Sequence, residues 1–597
     1  MNKLTKKCVA AIASLAMAGT LCVAGAVTMA SVAWASKPKP PLNQAISDSP
    51  DAPWFKKTKE SDPAPKTEGT LTINKYKYKD EGNHQGDALD GAKFTLTKVT
   101  KIDKVDLKYN EFSTWSTIAG IVDKLNRGDA AGAKITLGEG AGNVYTATTA
   151  NGTAKIENLP VGLYKVVETP PAGYGAADKT EFYITMPLIE TTTEGNNTTT
   201  TYNWNKTIEP KNKDISKTFT KTLDNGEGHN SVLAKDKTLY YTISASVNRT
   251  KTGALTADDL SGFAVFDDFP TAAFGTNVES SAVKSVSFGD GNDAELTPNT
   301  DYTVSIVKTD TEEGGKSLAT DRNRILVKFT EDGLKKIAEK LNGVTNGQDP
   351  KVNVTIKLDL NADYQGGDAP AEGQQNTTNV EVKNKSGFFP ASTKSTPDAD
   401  KPGPIVSGDD DKGTSTVKYG WFDVFKYDAA EESKEASKRT GLSGAEFRLF
   451  DTKEKAEKCA RALTQEQNSV EKAAVNCNAA SSEFKGENAT TQANTGKLTK
   501  PVKVQADTDI FLVEVKAPEG YIRLPRVETV RVEEGKLKTV PFSNTKKSAT
   551  GTWTWFNLPA TGAAGVILFA LAGMGLIAAS VFLYMRNRKE EEQQAKA

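Results

Sequence analysis

Histidine and cysteine are scarce in this chain of 597 residues, and their scarcity excludes several kinds of site. The two histidines, His84 and His229, lie far apart, and neither has neighbours at the spacing of metal ligands. A histidine-based metal centre or a Ser-His-Asp triad requires such neighbours. We therefore expect a protein that is not an enzyme and that holds no cofactor.

An excess of one sign of charge is also absent, since 75 basic side chains stand against 76 acidic ones. The resulting net charge of −1 provides no basic surface for nucleic acid. The length and the 37% content of hydrophobic residues predict three or four folded domains.

Both ends of the chain carry processing signals. Residues 1–35 combine a basic start, an apolar run and a final Ala-Trp-Ala, which is the pattern of a secretory signal peptide. An uncleaved membrane anchor is the alternative, because the apolar run is long. Near the other end, Leu-Pro-Ala-Thr-Gly at 558–562 precedes an uncharged span, 563–585, and a basic tail. That span is long enough to cross a bilayer, and the tail would stay in the cytoplasm.

The C-terminal arrangement resembles the cell-wall sorting signal of Gram-positive surface proteins, in which a sortase cuts after threonine. The resemblance places the cut between Thr561 and Gly562. An ordinary single-pass anchor is the alternative.

Export places the mature chain in an oxidising compartment, where cysteines pair. Cys8 and Cys22 belong to the signal peptide, so we expect a disulfide between Cys459 and Cys477, with two free thiols as the alternative. The surrounding segment, 451–480, has a helix-forming composition. A bridge that closes this loop would stabilise the fold by about 3 kcal/mol.

Alternation of apolar and polar residues predicts an all-β fold of tandem sandwiches. The clearest strand predictions are 71–75, 93–97, 239–244, 324–329 and 352–358. Helices are expected at 116–126, at 331–341 and within 451–480. Composition indicates an extended leader, 36–69, and a linker, 389–413.

An internal repeat defines two related domains. Leu-Asp-Gly-Ala-Lys-Phe at 89–94 matches Leu-Ser-Gly-Ala-Glu-Phe at 442–447, and the segment 163–174 matches 511–521. The two copies flank a middle domain of another kind. The predicted domains are therefore 70–212, 213–388 and 414–547, followed by a sorting region, 548–597.

Strand parity places charged and amide side chains on faces that should be buried. Lys75 and Lys426 share faces with apolar residues, and so do Glu168, Glu514 and Asn544. Such groups are costly to bury unless they act on one another. A plain buried salt bridge is one explanation. Self-catalysed amide formation is the other, because burial favours a neutral lysine amine and a protonated carboxyl group beside the asparagine.

The chain resembles the sortase-assembled backbone pilins of Gram-positive bacteria, whose shafts are strings of immunoglobulin-like domains with Lys–Asn isopeptide bonds. Glu514-Val-Lys-Ala-Pro-Glu-Gly-Tyr matches the E-box of that family, and Glu168-Thr-Pro-Pro-Ala-Gly-Tyr is one residue shorter. The resemblance implies CnaB-like first and last domains and a CnaA-like middle domain. It also implies a bond between Lys426 and Asn544, with Glu514 as its catalyst.

The family also has a pilin motif with a reactive lysine, and Pro-Lys-Asn at 210–212 is similar to it. The resemblance makes Lys211 the lysine that a sortase joins to the next subunit. Parity turns Lys211 outward and Asn212 inward, so Asn212 becomes the expected partner of Lys75, with Glu168 as catalyst. The alternative is that Lys211 is one solvated lysine among many.

The middle domain lacks an E-box, and related pilins use an aspartate there. Parity selects Lys217 and Asp267 as amine and catalyst, with Asn376 as the acceptor. Asn379 and Asn384 remain alternative acceptors. The resemblance also leaves room for a calcium ion in this domain.

These patterns predict a structural shaft subunit of a cell-wall-anchored surface pilus that supports adhesion. The expected partners are a sortase, further copies of the chain, tip and basal pilins, and peptidoglycan, with an unidentified surface receptor. A wall-anchored adhesin that does not polymerise is the second hypothesis, since it would share the sorting signal without needing Lys211.

Overall fold

The computed structural model describes residues 49–79, 85–127, 132–176, 180–194, 197–224, 233–234, 238–251, 254–289, 294–311, 314–344, 350–477 and 484–547. The chain forms two compact units. The first comprises Met1–Asn230, Thr238–Asn361 and Val382–Thr416, and the second comprises Ser231–Lys237, Ala362–Glu381 and Val417–Ala597. The predicted signal peptide, the start of the leader and the sorting region, with Thr561 and Gly562, lie outside the described residues.

Fifteen of the described strands make up the N-terminal part of the first unit. They are β1 (Glu68–Asn74), β2 (Tyr76–Tyr78), β3 (Gln85–Ala88), β4 (Lys93–Ile102), β5 (Val105–Asp106), β6 (Ile135–Leu137), β7 (Val144–Thr148), β8 (Thr153–Pro160), β9 (Gly162–Thr169), β10 (Tyr174–Ala176), β11 (Glu181–Met186), β12 (Leu188–Glu194), β13 (Asn197–Asn203), β14 (Asn205–Ile208) and β15 (Lys211–Asp214).

The middle part of the first unit continues the strand series. Its strands are β16 (Phe219–Leu223), β17 (Thr238–Ser246), β18 (Ala264–Pro270), β19 (Val283–Gly289), β20 (Ala294–Glu295), β21 (Tyr302–Val307), β22 (Arg322–Phe329), β23 (Lys351–Asp359), β24 (Glu381–Phe389) and β25 (Ile405–Val406). The remaining strands, which belong mainly to the second unit, are β26 (Thr414–Asp428), β27 (Glu446–Phe450), β28 (Val502–Gln505), β29 (Ile510–Lys516), β30 (Val527–Val530) and β31 (Leu537–Asn544).

Helices are few and mostly short in the described residues. The α-helices are α1 (Phe112–Arg127), α2 (Thr271–Phe274), α3 (Glu331–Asn342), α4 (Ala362–Gln365), α5 (Lys453–Gln465) and α6 (Ala474–Cys477). Single turns of 3-10 helix cover Ala257–Leu260, Ser280–Ala282, Asp398–Asp400, Ala429–Glu431, Ala436–Lys438 and Gly486–Ala489. The three predicted helical regions are thus confirmed at α1, α3 and α5–α6.

Period-two alternation explains why these segments form strands. In β17 and β23, which pair antiparallel over their full lengths, buried side chains alternate with partly exposed ones. One face of each strand therefore enters the core while the other faces outward. Four of the five predicted strand runs lie within strands, and the fifth, 71–75, ends one residue beyond β1. The all-β class with sandwich architecture is confirmed.

The N-terminal part of the first unit places β1 between β14, which runs parallel to it, and β8, which is antiparallel. A second sheet contains β11, β9 and β4 in that order. Apolar side chains from both sheets form one buried cluster that includes Leu71, Phe94 and Val166. This pairing brings the ends of β1 and β9 to a common core.

The leader does not stay extended where the structure describes it. Trp54 is buried in a cluster with Trp115 of α1, and its ring lies edge-on to Phe112 and Tyr202, at centroid distances of 5.1 and 5.8 Å. The Trp204 indole N–H also donates to the carbonyl of Asp51 at 3.0 Å. Residues 52–54 are therefore buried in the first unit, with Ala52 and Trp54 in the same apolar cluster.

The middle part of the first unit consists of two sheets. One has the order β16-β17-β23-β19-β20, and the other contains β21, β22, β18 and β24. β16 and β18 belong to different sheets of this sandwich, and both contribute charged side chains to its interior. The predicted linker, 389–413, packs on the same unit, since Asp400 forms an ion pair with Lys93 at 2.5 Å and its carbonyl accepts from the Thr169 hydroxyl at 2.9 Å.

In the second unit, β26 runs parallel to β31 and antiparallel to β28. A further sheet has the order β27-β29-β30. A buried apolar cluster that includes Phe422, Phe447 and Phe542 fills the unit. The segment Ala362–Glu381 also belongs to this unit, although the sequence-based boundaries assigned it to the middle domain. The predicted boundaries themselves stay predictions.

Candidate functional site: three buried lysine–carboxyl–asparagine clusters

The C-terminal cluster consists of the three residues that the sequence selected. Lys426 of β26, Glu514 of β29 and Asn544 at the end of β31 are all fully buried. The Lys426 ammonium lies 3.1 Å from Glu514 Oε1, and Asn544 Nδ2 donates to Glu514 Oε2 at 3.0 Å. The parallel register of β26 and β31 places Lys426 opposite Phe542, so Asn544 lies two residues further on the same face.

The surroundings of Lys426 favour the uncharged amine. Burial lowers the pKa of the Lys426 ammonium to about 8, against the opposing influence of the Glu514 carboxylate. The amine lies 5.1 Å from the centre of the Phe542 ring, which itself packs edge-on against Phe447. A neutral lysine amine beside an asparagine carboxamide and a carboxyl group can form an amide bond.

The N-terminal cluster has the same composition. Lys75, directly after β1, lies 2.9 Å and 3.0 Å from the two carboxylate oxygens of Glu168 on β9. Asn212 of β15 is also fully buried, and its Nδ2 donates to the carbonyl of Gly175 at 3.0 Å. Burial lowers the pKa of the Lys75 ammonium, partly offset by Glu168. Glu168 therefore contacts Lys75, although the motif that contains Glu168 is one residue shorter than the E-box.

The middle cluster differs from the sequence-based prediction in two of its three members. Asp267 of β18 is fully buried, as expected, but Lys217 is exposed and lies in a turn before β16 begins. The lysine that contacts Asp267 is Lys221, through an ammonium-to-Oδ2 hydrogen bond. The choice of Lys217 is therefore wrong, because the strand starts at Phe219 and parity was counted through a turn.

The acceptor of the middle cluster also differs. Asn376 is only partly buried, and its Nδ2 donates to the carbonyl of Asp368. Asn384 of β24 is fully buried, and its Nδ2 lies 3.4 Å from Asp267 Oδ2. Asn384, one of the two alternatives left open, is the asparagine that contacts Asp267, because β24 begins only at Glu381, after Asn376.

The middle cluster has the same electrostatic bias as the others. Burial lowers the pKa of the Lys221 ammonium to about 8, opposed by Asp267, and burial raises the pKa of the Asp267 carboxyl group against the influence of Lys221. The amine lies 4.7 Å from the centre of the Tyr241 ring. A signal for Lys221 exists in the sequence, since Phe219, Lys221 and Leu223 alternate along β16.

The three asparagines share an unusual feature. Within the described part of the chain, the Oδ1 atoms of Asn212, Asn384 and Asn544 are buried and have no hydrogen-bond partner. A buried carbonyl oxygen without a partner costs about 1–3 kcal/mol in a folded protein. The same oxygen therefore lacks a partner in the asparagine of all three clusters.

Lys211 lies next to the N-terminal cluster without joining it. It is the first residue of β15, and its side chain is partly exposed, while the following Asn212 is buried. The predicted parity at this site is confirmed. A partly exposed lysine thus starts the strand that carries the buried Asn212.

The predicted disulfide is present in the second unit. Cys459 of α5 and Cys477 of α6 are bonded and buried, with their Cα atoms 4.7 Å apart. The bond closes a loop with a sequence separation of 18 residues. It holds the helical insertion against β29, whose Val513 and Val515 lie in the same apolar cluster.

Two further expectations concern metals and membranes. Within the described ranges, no group of three or more His, Cys, Asp or Glu side chains is arranged to bind a metal ion. The calcium ion for which the resemblance leaves room is not tested by this finding. No helix among the described residues is long and apolar enough to cross a membrane. The predicted span, 563–585, is not among those residues.

Two protein-family models match this chain. A prealbumin-like fold domain matches residues 72–200, and the LPXTG cell wall anchor motif matches residues 556–592. The first match covers the lysine and the glutamate of the N-terminal cluster. The second confirms the predicted sorting signal and a location at the cell wall.

Curated relatives match most of the chain. The type 2 fimbrial subunit of Actinomyces naeslundii is 24% identical over 562 residues, which are 88% of this chain and 90% of the relative. The type 1 fimbrial subunit of Actinomyces viscosus is 26% identical over 563 residues, which are 87% and 90% of the two chains.

Solved structures of pilins align with the chain at low similarity. The full-length major pilin SpaD of Corynebacterium diphtheriae aligns with a TM-score of 0.40 at 20% identity, covering 80% of this chain and 98% of SpaD. The major pilin SpaA of the same organism gives a TM-score of 0.37 at 16% identity, covering 80% and 100%. The anchor motif and the fimbrial relatives together confirm the prediction of an LPXTG-anchored pilin attached to the cell wall.

Proposed function

We propose that this chain is the shaft subunit of a covalent surface pilus, which a sortase polymerises through Lys211 and Thr561. The observation that carries the proposal is the match to fimbrial subunits over nearly nine tenths of the chain, combined with the LPXTG motif at its end. The partial exposure of Lys211 supports the choice of this lysine. Tip and basal pilins and peptidoglycan are the further partners of such a shaft, which supports adhesion.

Polymerisation proceeds by two exchanges of acyl groups. The cysteine thiolate of the sortase attacks the Thr561 carbonyl carbon, the bond to Gly562 breaks, and a thioester forms. The Lys211 amine of another subunit then attacks the thioester, and the thiolate leaves. Because each junction joins two different groups of the chain, the Lys211 amine of one subunit and the Thr561 carbonyl of another, growth is head to tail.

Inside each subunit, the three clusters form Lys–Asn isopeptide bonds: Lys75–Asn212, Lys221–Asn384 and Lys426–Asn544. The neutral lysine amine attacks the asparagine Cγ, the Cγ–Nδ2 bond breaks, and ammonia leaves. Glu168, Asp267 and Glu514 donate a proton to the carboxamide and receive the proton that the amine loses. The low lysine pKa values and the buried carboxyl groups support this assignment.

An immunoblot of wall extract tests polymerisation. The wild-type chain is expected to give a ladder, and Lys211→Ala a secreted, folded monomer. Lys213→Ala is the matched control, since Lys213 is an exposed lysine on the same strand. A ladder that persists in Lys211→Ala would overturn the assignment of that lysine. A single band from the wild-type chain would instead favour the non-polymerised adhesin.

A further inference from the structure

The acceptor asparagines of the first and last clusters are held by the same backbone contact. Asn212 Nδ2 donates to the carbonyl of Gly175 at 3.0 Å, and Asn544 Nδ2 donates to the carbonyl of Ile522 at 2.8 Å. In both cases, the accepting residue directly follows the tyrosine that ends the E-box or its shortened counterpart. The coincidence suggests that the end of the motif acts on the asparagine.

The last four residues of the motif form the same turn twice. The amide of Tyr174 donates to the carbonyl of Pro171, and the amide of Tyr521 donates to the carbonyl of Pro518, both at 3.1 Å. The glycine before each tyrosine has a φ of +82° or +80°. A turn of this kind needs a positive φ at its third position, which glycine adopts without strain.

Each turn is joined to the acceptor strand in the same register. Tyr174 lies opposite Asp214, and Tyr521 lies opposite Lys546, in each case the second residue after the asparagine. The carbonyl of the turn glycine accepts a 2.8 Å hydrogen bond from the amide of the third residue after the asparagine, in both domains. The turn therefore has a fixed position relative to the carboxamide.

We infer that the Pro-x-Gly-Tyr turn is a positioning device for the acceptor carboxamide, and that Gly173 and Gly520 are its positioning residues. The inference rests on the proposed isopeptide bonds. The turn orients the carbonyl of the residue after the tyrosine so that it accepts from Nδ2 of the acceptor asparagine. This hydrogen bond fixes the plane of the carboxamide and therefore the direction from which the lysine amine reaches Cγ.

This role explains why the shortened motif of the first domain still assembles its cluster. The missing residue lies between the acid and the turn, since Glu168 is three positions before Pro171 while Glu514 is four positions before Pro518. The turn and its register with the asparagine are unchanged. The acid and the turn are therefore two separable parts of one motif.

The test compares bond formation in variants of Gly520. Full-length mature chains are recovered in denaturant before cross-linking and then refolded, and mass spectrometry follows the Lys426–Asn544 peptide over time. Gly520→Val introduces a β-branched side chain, which disfavours a positive φ. A Cβ at this position would meet no atom within 4 Å, so the substitution acts through the backbone conformation and not through a steric clash. Gly520→Asn is the conservative variant, because asparagine tolerates this conformation.

We expect Gly520→Val to slow formation of the Lys426–Asn544 bond at least tenfold, while Gly520→Asn stays within about threefold of wild type. The Lys75–Asn212 bond in the same molecules should form at its normal rate. Gly173→Val should show the reverse pattern. If Gly520→Val does not refold, as judged by circular dichroism, Gly520→Ala replaces it with the same expected direction.

Two outcomes separate this inference from the proposed function. Equal rates in wild type and in the folded valine or alanine variant would overturn the inference while leaving the isopeptide bonds intact. A wild-type chain in which neither bond forms would overturn the proposed cross-links themselves. A slow bond in both Gly520→Val and Gly520→Asn would also contradict the inference, because the side chain and not the backbone angle would then be responsible.

Discussion

The Lys426 ammonium lies 3.1 Å from the Glu514 carboxylate, and neither side chain has any exposure to solvent. An ion pair in such a place costs desolvation free energy that its attraction only partly returns. Amide formation removes this cost, because the lysine nitrogen becomes part of a neutral amide and the buried ammonium charge is lost. Under the proposed isopeptide bond, the buried pair is a reactive precursor and not a stabilising salt bridge.

Glu514→Gln should abolish the Lys426–Asn544 bond, because the amide side chain cannot shuttle the proton. The intact mass should then exceed the value expected for the cross-linked variant by one ammonia, about 17 Da. The variant should also unfold at a lower temperature and be cut by trypsin within 419–545.

Glu519→Gln is the matched control for this experiment. Glu519 lies in the same E-box but is exposed. Its variant should therefore form the bond, lose the ammonia from its intact mass and resist trypsin as the wild type does. A linked Lys426–Asn544 peptide in Glu514→Gln would show that Glu514 is an ordinary buried acid.

The middle cluster gives a second prediction, which distinguishes the structure from the sequence pattern. Lys221→Ala should remove the Lys221–Asn384 bond, because Lys221 is the lysine that contacts Asp267. Lys217→Ala should leave the bond intact, since Lys217 is exposed. Peptide mapping after digestion identifies which of the two lysines is cross-linked. A linked peptide that contains Lys217 would contradict the structure.

The rate of bond formation should depend on pH through the lysine amine. Burial lowers the pKa of Lys426 to about 8, so raising the pH towards 8 increases the fraction of neutral, nucleophilic amine. In refolded chains, the rate at which the Lys426–Asn544 bond forms should rise about tenfold per pH unit below pH 7 and stop rising above about pH 8. A rate that continues to climb beyond pH 9 would indicate an amine with an ordinary pKa.

The C-terminal cluster could be predicted from the sequence because its geometry is local to three regular strands. Lys426, Glu514 and Asn544 each lie within a strand as the structure has it, so parity counted from neighbouring apolar residues identifies the buried face. The disulfide could also be predicted from the sequence, since only Cys459 and Cys477 remain after the signal peptide is removed.

Parity failed where a strand did not extend as far as its pattern. Ile215, Lys217 and Phe219 alternate in sequence, but residues 216–218 form a turn in which the Thr218 amide donates to the Ile215 carbonyl at 3.3 Å. The regular count begins at Phe219 and leads to Lys221. No pattern in the local sequence predicts that turn, because the pairing of β16 with β17 determines where the strand begins.

The turn that holds the acceptor asparagines could not be predicted either. Its hydrogen bonds join Gly175 to Asn212 and Ile522 to Asn544, and such contacts depend on the register between segments that are distant in sequence. The repeat identified the segments that end at Tyr174 and Tyr521, and parity identified Asn212 and Asn544, but neither pattern shows that they meet. Register of this kind is fixed by the whole sheet.

The central claim is that Lys211 of one subunit is joined to Thr561 of the next. The most direct measurement is mass spectrometry of protease digests from purified, wall-released polymer. The account predicts a branched peptide in which the Lys211 side chain carries the Thr561 carboxyl group, and its absence from Lys211→Ala. A junction at another lysine, or polymer without any Thr561 branch, would contradict the account.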